Sequence, residues 1–342
     1  MTERSGTRGL VLPVLGLLAL ATVGVCPFVG MDPIPLAVVF GDGPDPEHLR
    51  TIFWQIRVPR VCIGFLAGAG LAACGMAFQA MFRNALATPF TLGVAGGASL
   101  GAALYMHLGL SFAVLSVSGV SVFAFFGALA SICLVYGLTR MRQGFSTATM
   151  LLAGIAVNFF FSSLILLIQY LSDFTRSFQI IRWLMGGLET MGYDSMFNIA
   201  PLAATGILVL FALTHELNLM TAGEELAVSR GVDVRRVKRI LFVGTSVCVG
   251  GVVAVCGPIG FVGMMVPHIC RLLVGGNHRQ LLPASCLFGG MFLILCDTAA
   301  RTLIAPAEIP VGVITSVLGG PFFVWLLVRA SSSGGLSTVA RR

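Results

Sequence analysis

Residues 61–80 read VCIGFLAGAGLAACGMAFQA, a run of 20 residues without a charged side chain. A helix of this length rises about 30 Å, which is the thickness of the hydrocarbon core of a bilayer. The whole chain has this character, because 57% of its 342 residues are apolar and only 10% are charged, against roughly 25% in an ordinary soluble domain. The sequence therefore predicts an integral membrane protein and excludes a soluble enzyme with a membrane anchor.

Apolar runs of similar length recur along the chain, separated by charged residues, proline and glycine. Since one membrane-spanning helix needs about 20 residues, this pattern predicts an all-α membrane protein with about ten transmembrane helices. These helices form a single transmembrane domain over residues 1–342. The predicted spans are 10–30, 60–81, 90–107, 111–138, 147–171, 193–214, 240–256, 259–275, 281–298 and 310–328.

The first run, 10–30, has two interpretations, a signal peptide or an uncleaved span. Its length and the lack of a small-residue cleavage site before Met31 favour an uncleaved first span.

Glycines repeat every four residues at Gly93, Gly97 and Gly101. Such small faces let helix backbones approach closely, which predicts a tightly packed bundle.

Basic residues fall mainly on one side of the predicted membrane. With a cytoplasmic N-terminus, the inside segments hold 15 of the 21 Lys and Arg residues, as the positive-inside rule requires. The net charge of +7 is therefore explained by membrane topology, and it does not indicate a nucleic-acid partner. Both termini are predicted to be cytoplasmic. The six outside residues are Arg50, Arg57, Arg60, Arg176, Arg182 and Arg301.

Several kinds of catalytic site are disfavoured by the motifs. Lys238 is the only lysine and no G-x-x-x-x-G-K-[ST] surrounds it, so an ATPase would have to be a separate chain. The nine cysteines occur singly in apolar stretches and the five histidines are scattered without H-E-x-x-H, so neither a metal site nor a metalloprotease is expected. No cofactor is predicted to bind this chain.

Two alternatives remain open. The first is an intramembrane serine hydrolase, because the G-x-S-x-G motif of these enzymes matches Gly97-Ala98-Ser99-Leu100-Gly101. The motif lies inside a helical apolar run, and no acidic residue lies near His107 to orient it. Helix packing is therefore the favoured role of this segment. A secondary carrier or channel is the other alternative. Carriers usually need charged relays, and Asp297, one turn from Arg301, is the clearest ionisable residue within a span.

Two connections are too long to be simple turns, the outside stretch 31–59 and the inside stretch 215–238. Long loops in a compact membrane protein usually carry function. The outside segment 176–188 has apolar residues at helical spacing, which predicts either a short helix lying at the outer face or an ordinary amphipathic connector.

A series of ordered motifs from about residue 54 onward resembles one family, the permease subunits of FecCD-type (type II) ABC importers for iron-siderophore complexes, haem and vitamin B12. Two positions depart from its pattern: the usual Asn-Pro-Leu-Ala is Asn84-Ala85-Leu86-Ala87 here, and the usual Leu-Gly is Arg230-Gly231. The matching blocks are Trp54-Gln-Ile-Arg-Val-Pro-Arg60, Gly68-Ala-Gly70, Gln79-Ala-Met-Phe-Arg-Asn84, Leu92-Gly-Val94, Leu151-Leu-Ala-Gly154, Trp183-Leu-Met-Gly-Gly187, Gly223-Glu224, Gly257-Pro-Ile-Gly-Phe-Val-Gly263, Val266-Pro-His268 with Arg271 and His278-Arg279, and Ala307-Glu-Ile-Pro-Val-Gly312.

The resemblance implies a ten-span permease of the bacterial inner membrane. Two copies would form a homodimeric pathway in the lipid bilayer, two ATPase subunits would bind ATP and Mg²⁺, and a periplasmic binding protein would deliver the cargo. No residue distinguishes siderophore-iron, haem and cobalamin as cargo.

The resemblance also implies roles for particular residues. The segment 217–239 would form short helices that couple to the ATPase, through Gly223, Glu224, Ala227 and Gly231. Asn84, Leu86, Thr147 and Ala148 would form the cytoplasmic gate. Arg57, Arg60 and Arg301 would dock the binding protein. The pathway would be lined by Asn158, Ser162, Gly319 and Gly320.

Overall fold

The computed structural model describes residues 3–30, 34–39, 46–85, 87–114, 117–141, 147–189 and 192–332. Regular structure within these ranges is helical, apart from one hairpin in which β1 (Ala113–Val114) pairs antiparallel with β2 (Val117–Ser118). The α-helices are α1 (Glu3–Val25), α2 (Leu36–Val39), α3 (Pro46–Thr51), α4 (Val58–Phe82), α5 (Val94–His107), α6 (Gly119–Met141), α7 (Thr147–Leu171), α8 (Phe174–Leu184), α9 (Asp194–Ala212), α10 (Thr214–Ala222), α11 (Glu224–Ser229), α12 (Val234–Cys256), α13 (Val262–Val274), α14 (His278–Thr302) and α15 (Val311–Ser332).

Each predicted span coincides with one helix, so the all-α prediction is confirmed. Among the described residues, seven stretches are long and apolar enough to cross a membrane: Leu10–Phe28, Glu47–Phe82, Gly119–Met141, Thr147–Leu171, Asp194–Ala212, Val234–Cys256 and His278–Thr302. Val262–Val274 and Val311–Leu326 are shorter apolar helices. Together with α5, they account for the ten predicted spans.

Several boundaries differ from the predictions, and two of them reflect local structure that the sequence pattern did not reveal. The fourth span begins at Gly119 instead of residue 111, because the intervening chain forms the β1–β2 hairpin. Part of the predicted outside loop 31–59 is helical, since α3 continues through a π-helical segment, Ile52–Arg57, directly into α4.

Helix α4 forms the centre of the bundle and packs against α9, α12, α13 and α14. Its glycines make this possible. A Cβ on Gly68 would overlap the backbone of Gly289 in α14, and a Cβ on Gly75 would overlap the backbone of Gly263 in α13. Two helices therefore touch α4 backbone to backbone, which requires small residues at both contacts.

The loops gather at two opposite ends, in agreement with the predicted alternation of sides. At one end, the Gly187 amide donates to the Cys256 carbonyl (2.8 Å) and the Gly192 amide to the Gln55 carbonyl (2.7 Å). At the other end, the His278 amide donates to Asn218 Oδ1 (2.9 Å). We call these the outer end and the inner end, after the sides that the charge distribution predicts.

Candidate functional sites

A buried ionic cluster lies at the outer end, where α4 begins and α14 ends. Arg60 Nη2 lies 2.9 Å from Asp297 Oδ1, and its Nη1 lies 2.9 Å from Glu308 Oε2. Arg301 Nε lies 3.4 Å from Asp297 Oδ2, and its Nη2 donates to the Cys26 carbonyl (3.0 Å). Asp297 is 2% exposed, so two guanidinium groups compensate one buried carboxylate.

Arg57 is buried nearby and holds the turn that follows α1. Its Nη1 donates to the carbonyls of Pro27 and Phe28, each at 3.3 Å. The guanidinium also packs against Gly30, where a Cβ would collide with it. Arg57 therefore connects the start of α4 to the end of the first span.

The three arginines predicted to dock a binding protein, Arg57, Arg60 and Arg301, lie inside the chain. All three are at least 93% buried and bind groups of their own chain. The competing interpretation, in which Arg301 pairs locally with Asp297, is confirmed. Glu308 is the exposed member of the cluster, at 41% of its side chain. A partner at the outer end therefore meets this carboxylate before it reaches Arg60.

The predicted coupling segment is helical and broken at the two glycines. Gly223 (φ 146°) separates α10 from α11, and Gly231 (φ 82°) lies between α11 and α12. Both backbone conformations strongly favour glycine. The segment is held to α12 by Lys238, whose Nζ lies 2.7 Å from Glu224 Oε1.

The side chains of α11 divide between an inner and an outer face. Ala227 is fully buried, and Glu224 faces the buried Lys238, so both stabilise the segment within the chain. Leu226 and Val228 are exposed, at 43% and 61%. Exposed apolar side chains on a short, braced helix are what a partner groove would bind. Sequence reasoning missed these two residues, because it selected positions by motif and not by face.

The predicted gate residues lie at the inner end as expected, but only some of them are described. Asn84 is exposed and follows Arg83, which ends α4 in the left-handed conformation (φ 47°). Thr147 and Ala148 form the first turn of α7. Leu86 lies outside the described residues.

The predicted pathway residues lie on two helices with exposed faces. Asn158 on α7 is half-buried and its Nδ2 donates to the Phe90 carbonyl (3.3 Å), whereas Ser162 is exposed. On α15, Gly319 is buried against the Phe261 ring, while Gly320 has open space beside it. Gly319 therefore serves packing, and Ser162 and Gly320 are the positions open to an adjacent surface.

Helix α8, Phe174–Leu184, confirms the predicted short helix within 176–188. Asp173 caps it by accepting from the Arg176 amide (2.9 Å). Its polar side lines an open outer cleft of about 930 Å³, which includes Arg182 and Glu189. Their hydrogen bond (2.8 Å) and the carboxylate charge raise the pKa of the Arg182 guanidinium.

The hydrolase alternative has no geometry to support it among the described residues. Ser99 is buried in α5, and the His107 Nδ1 is 2.7 Å from Ser172 Oγ. Within the same ranges, no three His, Cys, Asp or Glu side chains converge as metal ligands would.

A bundle of apolar helices, with a braced and glycine-bounded helical segment at its inner end, defines a polytopic membrane permease. The family model described as the FecCD transport family matches residues 14–329. The chain belongs to the FecCD transport family. It is an ABC transporter permease, which confirms the predicted family and decides against the carrier, channel and hydrolase alternatives.

Individual relatives agree with this assignment. The hemin transport system permease protein HmuU of Yersinia pestis is 39% identical over 279 residues, covering 81% of this chain and 83% of HmuU. The cobalamin import system permease protein BtuC of Halobacterium salinarum is 40% identical over 292 residues, covering 82% of this chain and 74% of BtuC. A solved inward-facing structure of a metal-chelate type ABC transporter superposes with a TM-score of 0.83 at 29% identity, covering 93% of this chain and 99% of that one.

Proposed function

We propose that this permease imports a bulky metal complex into the cytoplasm. Two copies enclose the pathway, two separate ATPase subunits bind ATP and Mg²⁺, and a periplasmic binding protein delivers the cargo. The protein lies in a bacterial inner membrane with both termini in the cytoplasm. The observation that carries the proposal is α11, whose exposed Leu226 and Val228 sit on a segment braced by the Lys238–Glu224 ion pair.

The relatives and the weakly polar exposed positions support a cargo class. The relatives' names specify hemin, cobalamin and a metal chelate, and all of these are large metal complexes. Ser162 offers a neutral hydroxyl on the exposed face of α7, and Gly320 offers open space on α15. A few neutral side chains bind a passing cargo only weakly, which suits a pathway that must release it. We propose an iron complex, a siderophore chelate or haem, with cobalamin as the second candidate.

Uptake by proteoliposomes tests this function. The permease is reconstituted with its ATPase and binding protein, and accumulation of radiolabelled iron-siderophore, haem or cobalamin is measured. Accumulation is expected to require ATP inside the vesicle and to stop with vanadate. Uptake that continues without the ATPase would contradict the proposal.

The exposed apolar face of α11 supplies a sharper test. Val228→Asp is expected to uncouple ATP hydrolysis from uptake, because it places a charge where the partner groove is apolar. Val114→Asp is the matched control, since Val114 is also an exposed valine but lies in the outer-end hairpin. Equal loss of coupling in both variants would argue against α11 as the docking element.

A further inference from the structure

An open cleft of about 420 Å³ lies at the inner end, and Asn84 of the predicted gate is among its lining residues. It is bounded by the end of α4, by Thr221 of α10 and by the loop between α13 and α14. Arg83, Arg271 and His278 are among its lining residues, and no described lining residue is acidic. We call it the inner cationic cleft.

The two arginines of this cleft lack carboxylate partners. Arg271 Nη2 donates to Gln79 Oε1 (3.2 Å), and Gln79 in turn donates its Nε2 to the Met264 carbonyl (3.0 Å), so Arg271 is held in place by a neutral amide. Arg83 is exposed at the end of α4. Across the described residues, neither guanidinium forms an ion pair, which leaves two positive charges directed at one opening.

His278 adds an unsatisfied acceptor to the same cleft. It is 2% exposed, and its backbone amide and Nδ1 both contact Asn218 Oδ1, at 2.9 and 2.7 Å. A side-chain carbonyl oxygen can only accept, so Asn218 Oδ1 accepts from both groups and Nδ1 carries the proton. The opposite ring nitrogen, Nε2, is then a lone-pair acceptor, and it has no partner in the described part of the chain. A buried acceptor without a donor is costly unless a ligand or water supplies one.

We propose that the inner cationic cleft receives an acidic segment of the ATPase subunit, as a second contact beside α11. This inference rests on the proposed function, since it requires the ATPase. A guanidinium fork pairs well with a carboxylate. A protein segment supplies the carboxylates that Arg83 and Arg271 lack, and a water enclosed beneath it can donate to the buried imidazole nitrogen. Thr221 lies two residues before Gly223, so an occupant adjoins the coupling segment directly.

Charge reversal in purified permease tests the contact. The double variant Arg83→Glu/Arg271→Glu is expected to weaken ATPase binding at least about tenfold and to flatten its salt dependence, since close charge pairs carry this dependence. Arg140→Glu is the matched control, because Arg140 is an exposed inner-end arginine at the end of α6 that does not line the cleft. Arg83→Glu alone, at an exposed position, covers the case in which the double variant does not fold, and is expected to weaken binding about threefold.

The outcomes separate the two proposals. If wild-type permease binds no ATPase, the proposed function fails. If wild type binds but the cleft variants bind as tightly as Arg140→Glu, the cleft inference alone is overturned. The measurement is repeated in nanodiscs of zwitterionic and of anionic lipid. A loss that occurs only in anionic lipid would overturn the inference too, because it would assign the cleft to a phospholipid headgroup.

Discussion

The two ends of the bundle differ in how their arginine side chains are buried and paired. At the outer end, Arg60 and Arg301 are buried and Asp297 lies between them, within 2.9 and 3.4 Å. At the inner end, Arg83 and Arg271 line an open cleft whose described walls contain no acid. The outer charges therefore belong to the fold, whereas the inner charges are left for a group outside the chain.

Depth of burial explains the difference. An ion withdrawn from water loses several kcal/mol of solvation, so a buried guanidinium needs carboxylate or carbonyl partners within its own chain. An arginine at an open cleft keeps part of its hydration, so its charge is stable without a carboxylate until a partner binds. Lys238 follows the same rule at the inner end, since it is 3% exposed and is paired with Glu224. Each of the following variants tests one side of this contrast.

The largest effect is expected for Asp297→Ala. It leaves two buried arginines without their shared carboxylate and should lower the free energy of unfolding by about 3–5 kcal/mol. Labelling with a thiol-reactive dye during heating measures this, because buried cysteines such as Cys74 and Cys248 react only when the bundle opens. Asp194→Ala, an exposed acid at the start of α9, is the control. Similar unfolding temperatures for the two variants would show that the outer cluster is solvated.

A smaller effect is expected for Glu224→Gln, at the inner end. It removes the carboxylate from the buried Lys238 ammonium, and because Glu224 itself is 36% exposed we expect a loss of about 1 kcal/mol. The neighbouring, exposed Glu225 provides the control as Glu225→Gln. The same thermal assay applies. If both variants unfold alike, the ion pair does not brace the coupling segment.

Glu308→Gln should cost less, about 0.5 kcal/mol. Glu308 is 41% exposed and Arg60 keeps its contacts with Asp297, so solvent screens most of the loss. A double-mutant cycle with Asp297→Ala measures whether the two acids act independently. A loss as large as that of Asp297→Ala would mean that the cluster functions as one network and that its exposed edge is as important as its centre.

The smallest effect on stability is expected for Arg83→Gln, within about 0.5 kcal/mol of wild type. Arg83 is exposed and forms no ion pair across the described residues. Arg60→Gln, the same change at the outer end, should be strongly destabilising by contrast. Comparable losses in these two variants would remove the distinction between the ends.

The sequence predicted the helices well because membrane insertion depends on the length and hydropathy of each run. The two glycine breaks at Gly223 and Gly231 were predictable for a similar reason, since a break is a local property of the backbone. For the arginines that line the described loops, the assigned side also agrees with the grouping of those loops.

The contacts of those arginines were not predictable to the same degree. Arg60 is 237 positions from Asp297, and a pattern of charges gives the side of the membrane but not the depth of a side chain. Pairing of Asp297 with Arg301 was visible because one helical turn separates them. The inner cationic cleft was invisible because Arg83 and Arg271 converge only when α4 and α13 pack at Gly75 and Gly263.

The distance in sequence between Arg60 and Asp297 also determines when their ion pair can form during biosynthesis. At about 5–20 residues per second, a ribosome needs roughly 10–50 s to synthesise the 237 positions that separate them. Throughout that interval α4 lies in the bilayer, while Asp297 and Gly289 of α14 have not yet been synthesised. Placement of Arg60 at the start of α4 makes this delay tolerable, because a long basic side chain near a helix end can reach the headgroups. The nascent chain therefore stays an incomplete bundle until its ninth span emerges, and a product truncated before that span lacks the carboxylate that pairs with Arg60.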